Sequence, residues 1–444
     1  MSAFEPVRYA ALTDVGVKRS HNQDACAANP AVDAAGFSAH GHVFVVADGM
    51  GGHAVGEKAS AKAVRDIPLL YSKHARDGVI PAIRRAFQET NTGIYQIGAQ
   101  NPEFRGLGTT STALVIRPEG AWVGHVGDSR AYRIRAGKAE QLTFDHSWVW
   151  EIAKRQGVDP DELGDFKKNV IIRSLGPDPD VEVDIEGPHP VQPGDAFLLC
   201  SDGLTGVVNP QEVGAVVSAL PPEEAVRFLV NLANLRGGPD NITVLIVQVP
   251  DGNAAGGRSP GGGANPLKKL WAAWTKRVPV PFTLLGGGCV LAILSLLMQQ
   301  SEVPGAVVLF VLAALLILGG LVGLIVHLQK EEPPSVEVPA DDTPRELKVY
   351  KTHDCVPGAE LVERFSQMEA SLLEGMRNQG VPADYDAHAR LAATADEAAT
   401  KPDVVAAFRA RCASLFYLAE AFHKSRHKQE SFRPSWTPSP SSPS

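Results

Sequence analysis

Apolar residues fall along the first 250 positions in two kinds of run. Short, continuous apolar and β-branched stretches predict strands: HVFVVA at 42–47, STALVI at 111–116, AWVGHV at 121–126, AYRIR at 131–135, DAFLLC at 195–200 and NITVLIVQV at 241–249. Longer stretches with apolar residues every three or four positions predict helices over about 55–74, 79–99 and 222–234. Blocks of strands separated by paired helices imply an α+β layered domain rather than a βαβ parallel sheet.

The pattern changes at residue 251. Residues 251–277 read as a linker, first Gly-rich (DGNAAGGRSPGGGANP), then basic through Lys268, Lys269, Lys276 and Arg277. Two uncharged apolar runs follow, at 278–298 and 303–326, each long enough to cross about 30 Å of hydrocarbon as a helix. With only a polar QQSE between them they predict a two-helix transmembrane hairpin. Lys and Arg on both outer flanks, and none in QQSE, place both flanks in the cytoplasm. The expected location is therefore the inner (cell) membrane, multi-pass, with catalytic and C-terminal regions cytoplasmic. Beyond the hairpin come a Pro-rich acidic spacer at 331–350 and a small helical region at 351–428. Its apolar stripes are Leu361, Phe365, Met368, Leu372 and Met376, stopped by Gly380 and Pro382, and then Val404, Val405, Phe408, Cys412, Leu415, Phe416 and Phe422. A Ser/Pro-rich tail at 429–444 is expected to be disordered.

Composition narrows the function. The 444 residues carry a net charge of −8, which gives no basic footprint for nucleic acid. Five scattered cysteines without a C-x-x-C pair argue against a disulfide framework or a thiolate zinc site, and fit a reducing compartment. The N-terminus has no signal-peptide apolar core, so the first domain is expected to stay in the cytosol.

The candidate chemistry lies in aspartates. Asp48-Gly49, Asp128 and Asp202-Gly203 each close an apolar strand, while Asp24 and Asp240 sit in turn-like contexts. Any one of them alone reads as a turn or helix-cap residue. Together they form a set of hard oxygen donors without His or Cys, which suits Mg²⁺ or Mn²⁺ rather than zinc. Two decoys are set aside. The stretch from Gly51 to Ala59 lacks the Gly-Lys-Ser/Thr order of a phosphate-binding loop, and Asp145-His146-Ser147 are chain neighbours, which rarely converge as a catalytic triad.

RSHNQD from Arg19, DGMGGHAVGE from Asp48, GTTSTALVI from Gly108, GDSRAY from Gly127, LTFDHS from Leu142, CSDGL from Cys200 and GGPDNIT from Gly237 occur in this order. They resemble the PPM-type (type 2C) metal-dependent serine/threonine phosphatases in their bacterial form, over about residues 7–249. The resemblance implies a four-layer α/β/β/α sandwich over 1–250, two antiparallel sheets flanked by helices, with two Mn²⁺ or Mg²⁺ ions between the sheets and a weaker third. Asp48 would bridge both ions, with the Gly49 carbonyl on one. Asp202 and Asp240 would complete the other's shell, Asp24 would sit close by, Asp128 would help hold the third ion, and Arg19 would receive the substrate phosphate. The implied activity is that of a protein-serine/threonine phosphatase, a phosphoric monoester hydrolase, whose partners are phosphorylated proteins and a Ser/Thr kinase. Direct attack by metal-activated water would need no phosphoenzyme. The alternative is a membrane-tethered scaffold that binds phosphoproteins without turnover.

Two positions depart from the family. Gln23 stands where an acid precedes the aspartate, and Met50 stands where eukaryotic relatives carry a histidine proposed as general acid, so that either water or another group such as His53, which otherwise reads as an ordinary loop histidine, would protonate the leaving alkoxide. The flap over the active site corresponds to 147–180, with IIRSLG from Ile171 expected near the metal centre.

Overall fold

The computed structural model describes residues 7–51, 56–104, 106–163, 170–250, 291–292, 295, 310–314 and 347–431. The chain divides into two compact units, 1–257 with 346–444, and 258–345.

In the first unit every strand pairing is antiparallel. One sheet runs β1 (Arg8–Asp14), β11 (Ile242–Gln248), β10 (Ala196–Cys200), β7 (Arg130–Arg135), β8 (Lys138–Gln141), β12 (Lys351–Asp354). The other runs β2 (Asp24–Asn29), β3 (His42–Met50), β5 (Ser111–Arg117), β6 (Gly120–Val126), β9 (Asp184–His189), with short β4 (Gly108–Thr109) against β3. Among the described residues up to 250 the α-helices are α1 (Ala34–Ala39), α2 (Gly56–His74), α3 (Val79–Gln100), α4 (Trp148–Gln156), α5 (Asp202–Thr205), α6 (Pro210–Ala219) and α7 (Pro222–Leu235).

The layers follow from the two-residue period of a strand. In β3, Phe44 and Val46 enter the core between the sheets with Leu114, Phe197, Leu199, Leu245 and Val247. Val43, Val45 and Ala47 face the other way, into a core with Ala63, Ile67, Ile83 and Phe87 of α2 and α3. On the opposite sheet, Leu198, Cys200, Val244 and Ile246 pack with residues of α6 and α7. Both faces of the central strands are therefore covered, which is why their sequences are continuous apolar runs rather than alternations. The α/β sandwich expected for the catalytic region is present. The element limits come from local chemistry: Asn209 and Glu212 form a reciprocal capping box at the start of α6, and α4 ends at Gly157 in the left-handed region, φ +69°.

The C-terminal region joins the same unit. β12 pairs with β8, Lys351 opposite Gln141 and Asp354 opposite Lys138. Three helices follow: α8 (Ala359–Asn378), α9 (Tyr385–Ala399) and α10 (Val404–Ser431). Phe365, Phe408, Cys412 and Leu415 share one core with Phe228 and Leu229 of α7. Phe365 stands 5.7 Å from Phe228 and 5.4 Å from Phe408, ring centre to ring centre. Inside the helical layer, buried Glu369 binds Ser414, His388 and Arg411 at 2.6–2.8 Å, a polar network that fixes how α8, α9 and α10 meet.

The transmembrane hairpin requires correction. Among the described residues no helix is long and apolar enough to cross a membrane. An apolar run supplies the composition of a span, but crossing also needs about 20 residues in one helix. Within 278–298 and 303–326 the described residues, 291–292, 295 and 310–314, are helical, and the rest of both runs lies outside the described residues. The fold class is accordingly revised, and the multi-pass inner-membrane location inferred from the hairpin is withdrawn. The expected linker at 251–277, most of the spacer and the last 13 residues of the tail, 432–444, also lie outside the described residues.

Candidate active site

Antiparallel pairing of β2 and β3 sets Asp24 directly opposite Asp48. Asp24 therefore begins a strand, where the sequence suggested a turn. Its Oδ2 accepts hydrogen bonds from Ser201 and Thr243, both at 2.7 Å, so residues from three strand ends meet at one carboxylate. Asp202 opens α5 just after β10, Asp240 lies in the turn before β11, and Asp128 follows β6. Arg19 donates to Asp240 Oδ2 at 2.8 Å. Asp128, Asp202, Asp240 and Arg19 line a cleft of about 900 Å³.

Both glycines that follow strand-end aspartates are required by close approach. A Cβ on Gly49 would fall 2.2 Å from the Gly56 carbonyl oxygen at the start of α2, and one on Gly203 would fall 1.9 Å from that of Asn241. The glycines thus let α2 and the 240–241 turn close upon the aspartates.

The electrostatics are those of a cation site. Burial pushes the Asp24 carboxyl up to about 6, with Asp202 and Asp240 adding to the rise against the Ser201 and Thr243 hydrogen bonds. Asp48 is raised well above the ordinary carboxylate range by burial and by Asp24, Asp202, Asp128 and Asp240. Burial and then Asp202 raise Asp128, and burial and then Asp240 raise Asp202. Asp24 Oδ1, Asp128 Oδ1 and Asp202 Oδ1 are buried without a hydrogen-bond partner. Uncompensated buried anionic oxygens are costly, and hard divalent cations are their natural complement. Among the described residues no three Asp, Glu, His or Cys side chains form a ready-made ion cage. The fit to cations therefore rests on the lone oxygens and the crowding of like charge.

Several supporting residues escaped the sequence reading. Ser201 and Thr243 sit inside quoted motifs but are neutral, and attention fell on the acids. Arg130 grips both oxygens of buried Asp145, with Nε 3.0 Å from each and Nη2 2.7 Å from Oδ2. The Asp145-His146-Ser147 run diverges as expected of a decoy. Asp145 goes to Arg130, His146 Nδ1 accepts from the Gly127 amide while Nε2 meets Asp184, and Ser147 precedes α4. Gln23 contributes its backbone, whose carbonyl accepts from the Gly49 amide and the Ser60 hydroxyl. Met50 pairs with Gly108 in the β3–β4 bridge. In the IIRSLG stretch, Leu175 exchanges backbone hydrogen bonds with Thr109, beside the Asp48 strand. His53 lies outside the described residues.

Residues 12–149 match the family model described as Protein phosphatase 2C. The chain is 37% identical over 249 residues to protein phosphatase PhpP of Streptococcus pneumoniae, covering 55% of this chain and 98% of that protein. It is 30% identical over 255 residues to serine/threonine protein phosphatase PstP of Mycobacterium tuberculosis, covering 55% of this chain and 45% of that protein. A crystal structure of the PstP catalytic domain in complex with two manganese ions is 31% identical, with a TM-score of 0.48, over 55% of this chain and 99% of that one. Since nearly the whole of the pneumococcal phosphatase is matched, rather than a fragment of it, the chain belongs to the PPM (protein phosphatase 2C) family and is a serine/threonine protein phosphatase.

Proposed function

We propose that the chain removes phosphate from phosphoserine and phosphothreonine on proteins, opposing a bacterial Ser/Thr kinase, with two Mn²⁺ or Mg²⁺ ions held by Asp48, the Gly49 carbonyl, Asp202 and Asp240, Asp24 close by, and a weaker third ion at Asp128. The observation that carries this reading is the trio of unpartnered buried carboxylate oxygens on Asp24 at the start of β2, Asp128 after β6 and Asp202 at the start of α5. When bound, the cations supply Lewis-acid charge for the phosphoryl oxygens and a water acidic enough to attack near neutral pH. Arg19 receives the phosphate, because its planar fork matches two phosphate oxygens at once. In the absence of substrate its partner is Asp240. Ser201 and Thr243 orient Asp24 by donating to a single oxygen and leaving the other free. Met50 has no proton to give to the leaving alkoxide.

The full chain, given a phosphothreonine peptide, should turn over with Mn²⁺ or Mg²⁺, stop in EDTA, and recover when Mn²⁺ is restored in excess. Persistent turnover in excess chelator, or activity with zinc alone, would refute the ligand assignment.

A further inference from the structure

One wall of the cleft comes from far along the chain. Lys351 and His353 of β12 and Arg364 of α8 line the same cleft as Asp128 and Asp202. Lys351 is the most engaged of the three. Its Nζ donates to Asp159 Oδ1 at 2.8 Å and Asp161 Oδ2 at 2.7 Å, and only 14% of its side chain is exposed. The same ammonium stands 5.3 Å from the centre of the Trp150 ring. Trp150 belongs to α4, and Asp159 and Asp161 to the turn that follows it, so one side chain ties the start of α4 to the turn beyond its end.

The same ring meets a residue of the cleft itself. The Arg130 guanidinium lies 5.7 Å from the centre of the Trp150 ring and grips Asp145. The neighbouring residue keeps Lys351 in register. The Tyr350 amide donates to the Gln141 carbonyl at 2.9 Å, its hydroxyl donates to Glu186 at 3.2 Å, and its ring lies 5.7 Å from Phe144, which is edge-on to Trp150.

We propose that Lys351 is a positioning residue through which the C-terminal segment sets the α4 flap along the cleft, and that it thereby governs affinity for phosphoprotein substrates. The inference rests on reading this cleft as the phosphatase site. A protein substrate lies along the cleft wall as well as at the aspartates, and a flap already in place spares the complex the entropy of ordering it. A small phosphate ester touches only the centre and is indifferent to the flap.

The test compares full-chain wild type and Lys351→Met, with Mn²⁺, on a phosphothreonine protein and on para-nitrophenyl phosphate. The variant should raise KM for the phosphoprotein about 5-fold, the scale of a shielded two-partner ion pair, with both constants for the small ester unchanged. Reversing the charges, Lys351→Glu with Asp159→Lys and Asp161→Lys, rebuilds the ion pairs but not the contact with the Trp150 ring, and should recover part of the phosphoprotein KM. An unchanged phosphoprotein KM in Lys351→Met would overturn the proposal. So would equal losses on both substrates that charge reversal does not rescue. A wild-type chain inert on both substrates would instead bring down the phosphatase reading, and this inference with it, so the two failures are distinguishable.

Discussion

Asp24 and Asp48 face each other across the β2–β3 ladder, two carboxylates at directly paired positions. Like charges so placed are destabilising unless a cation lies with them. The arrangement costs stability in the metal-free chain and is the feature that the proposed reaction uses.

Asp48→Asn should therefore act in opposite directions on stability and activity. Without metal, removing one acid from this crowded buried cluster should raise the melting temperature. Turnover with saturating Mn²⁺ should fall at least about 100-fold, the scale of losing a principal electrostatic contributor. Thermal melts in EDTA and steady-state kinetics check the two halves, and a variant that is both less stable in EDTA and fully active would contradict the role given to Asp48.

Arg19 is half exposed and paired to Asp240, so losing it should leave the fold intact. Arg19→Ala should raise KM about 10-fold with kcat little changed, because its phosphate contact exists in ground and transition states alike. Arg19→Lys should recover only part of the loss, since an ammonium cannot present two parallel donors. A pure fall in kcat would mean that Arg19 acts only in the transition state.

His42 carries a pH dependence separate from the metal site. Burial, with help from His40, lowers its pKa from 6.5 to about 4, and its Nδ1 accepts from the Ala31 amide. Between those values the folded chain binds fewer protons on this ring than the unfolded chain does. Stability is thus lost as pH falls through the window, on the order of 2 kcal/mol by about pH 5. His42→Asn keeps an acceptor near Nδ1 and cannot titrate. The drop in Tm between about pH 7.5 and pH 5 should be smaller in the variant than in wild type, and equal drops would disprove the assignment.

Phe365→Ala should cost about 3–5 kcal/mol, the range for emptying a fully buried aromatic site. Because its ring packs on Phe228 of α7, the loss should appear in one shared unfolding transition rather than in a separate early one. Calorimetry of the full chain distinguishes the two. For the same reason, the fragment 1–250 would expose the α7 face that α8 and α10 cover.

The sequence by itself determined the central strands and long helices, because a strand buried on both faces must be a continuous apolar run and a covered helix must carry an apolar stripe. HVFVVA became β3 and the 79–99 pattern became α3. Of the aspartates it singled out, Asp128, Asp202 and Asp240 line one cleft, together with Asp145, Asp161 and Glu212, which local pattern did not mark. Short or weakly apolar elements stayed hidden. β2 reads DACAAN and β12 reads KTHD, and neither has the side chains to announce a strand, because each gains its stability from a neighbour's backbone. α9 buries only His388 and Ala395, so it shows no stripe. The opposition of Asp24 to Asp48, the Arg19–Asp240 pair and the reach of Lys351 into the flap join residues far apart in sequence. Such pairings depend on strand register and layer packing, which local pattern does not encode. The apolar runs at 278–298 and 303–326 mark the converse limit. Composition alone suggested a membrane span for each, and among the described residues no helix is long and apolar enough to make one.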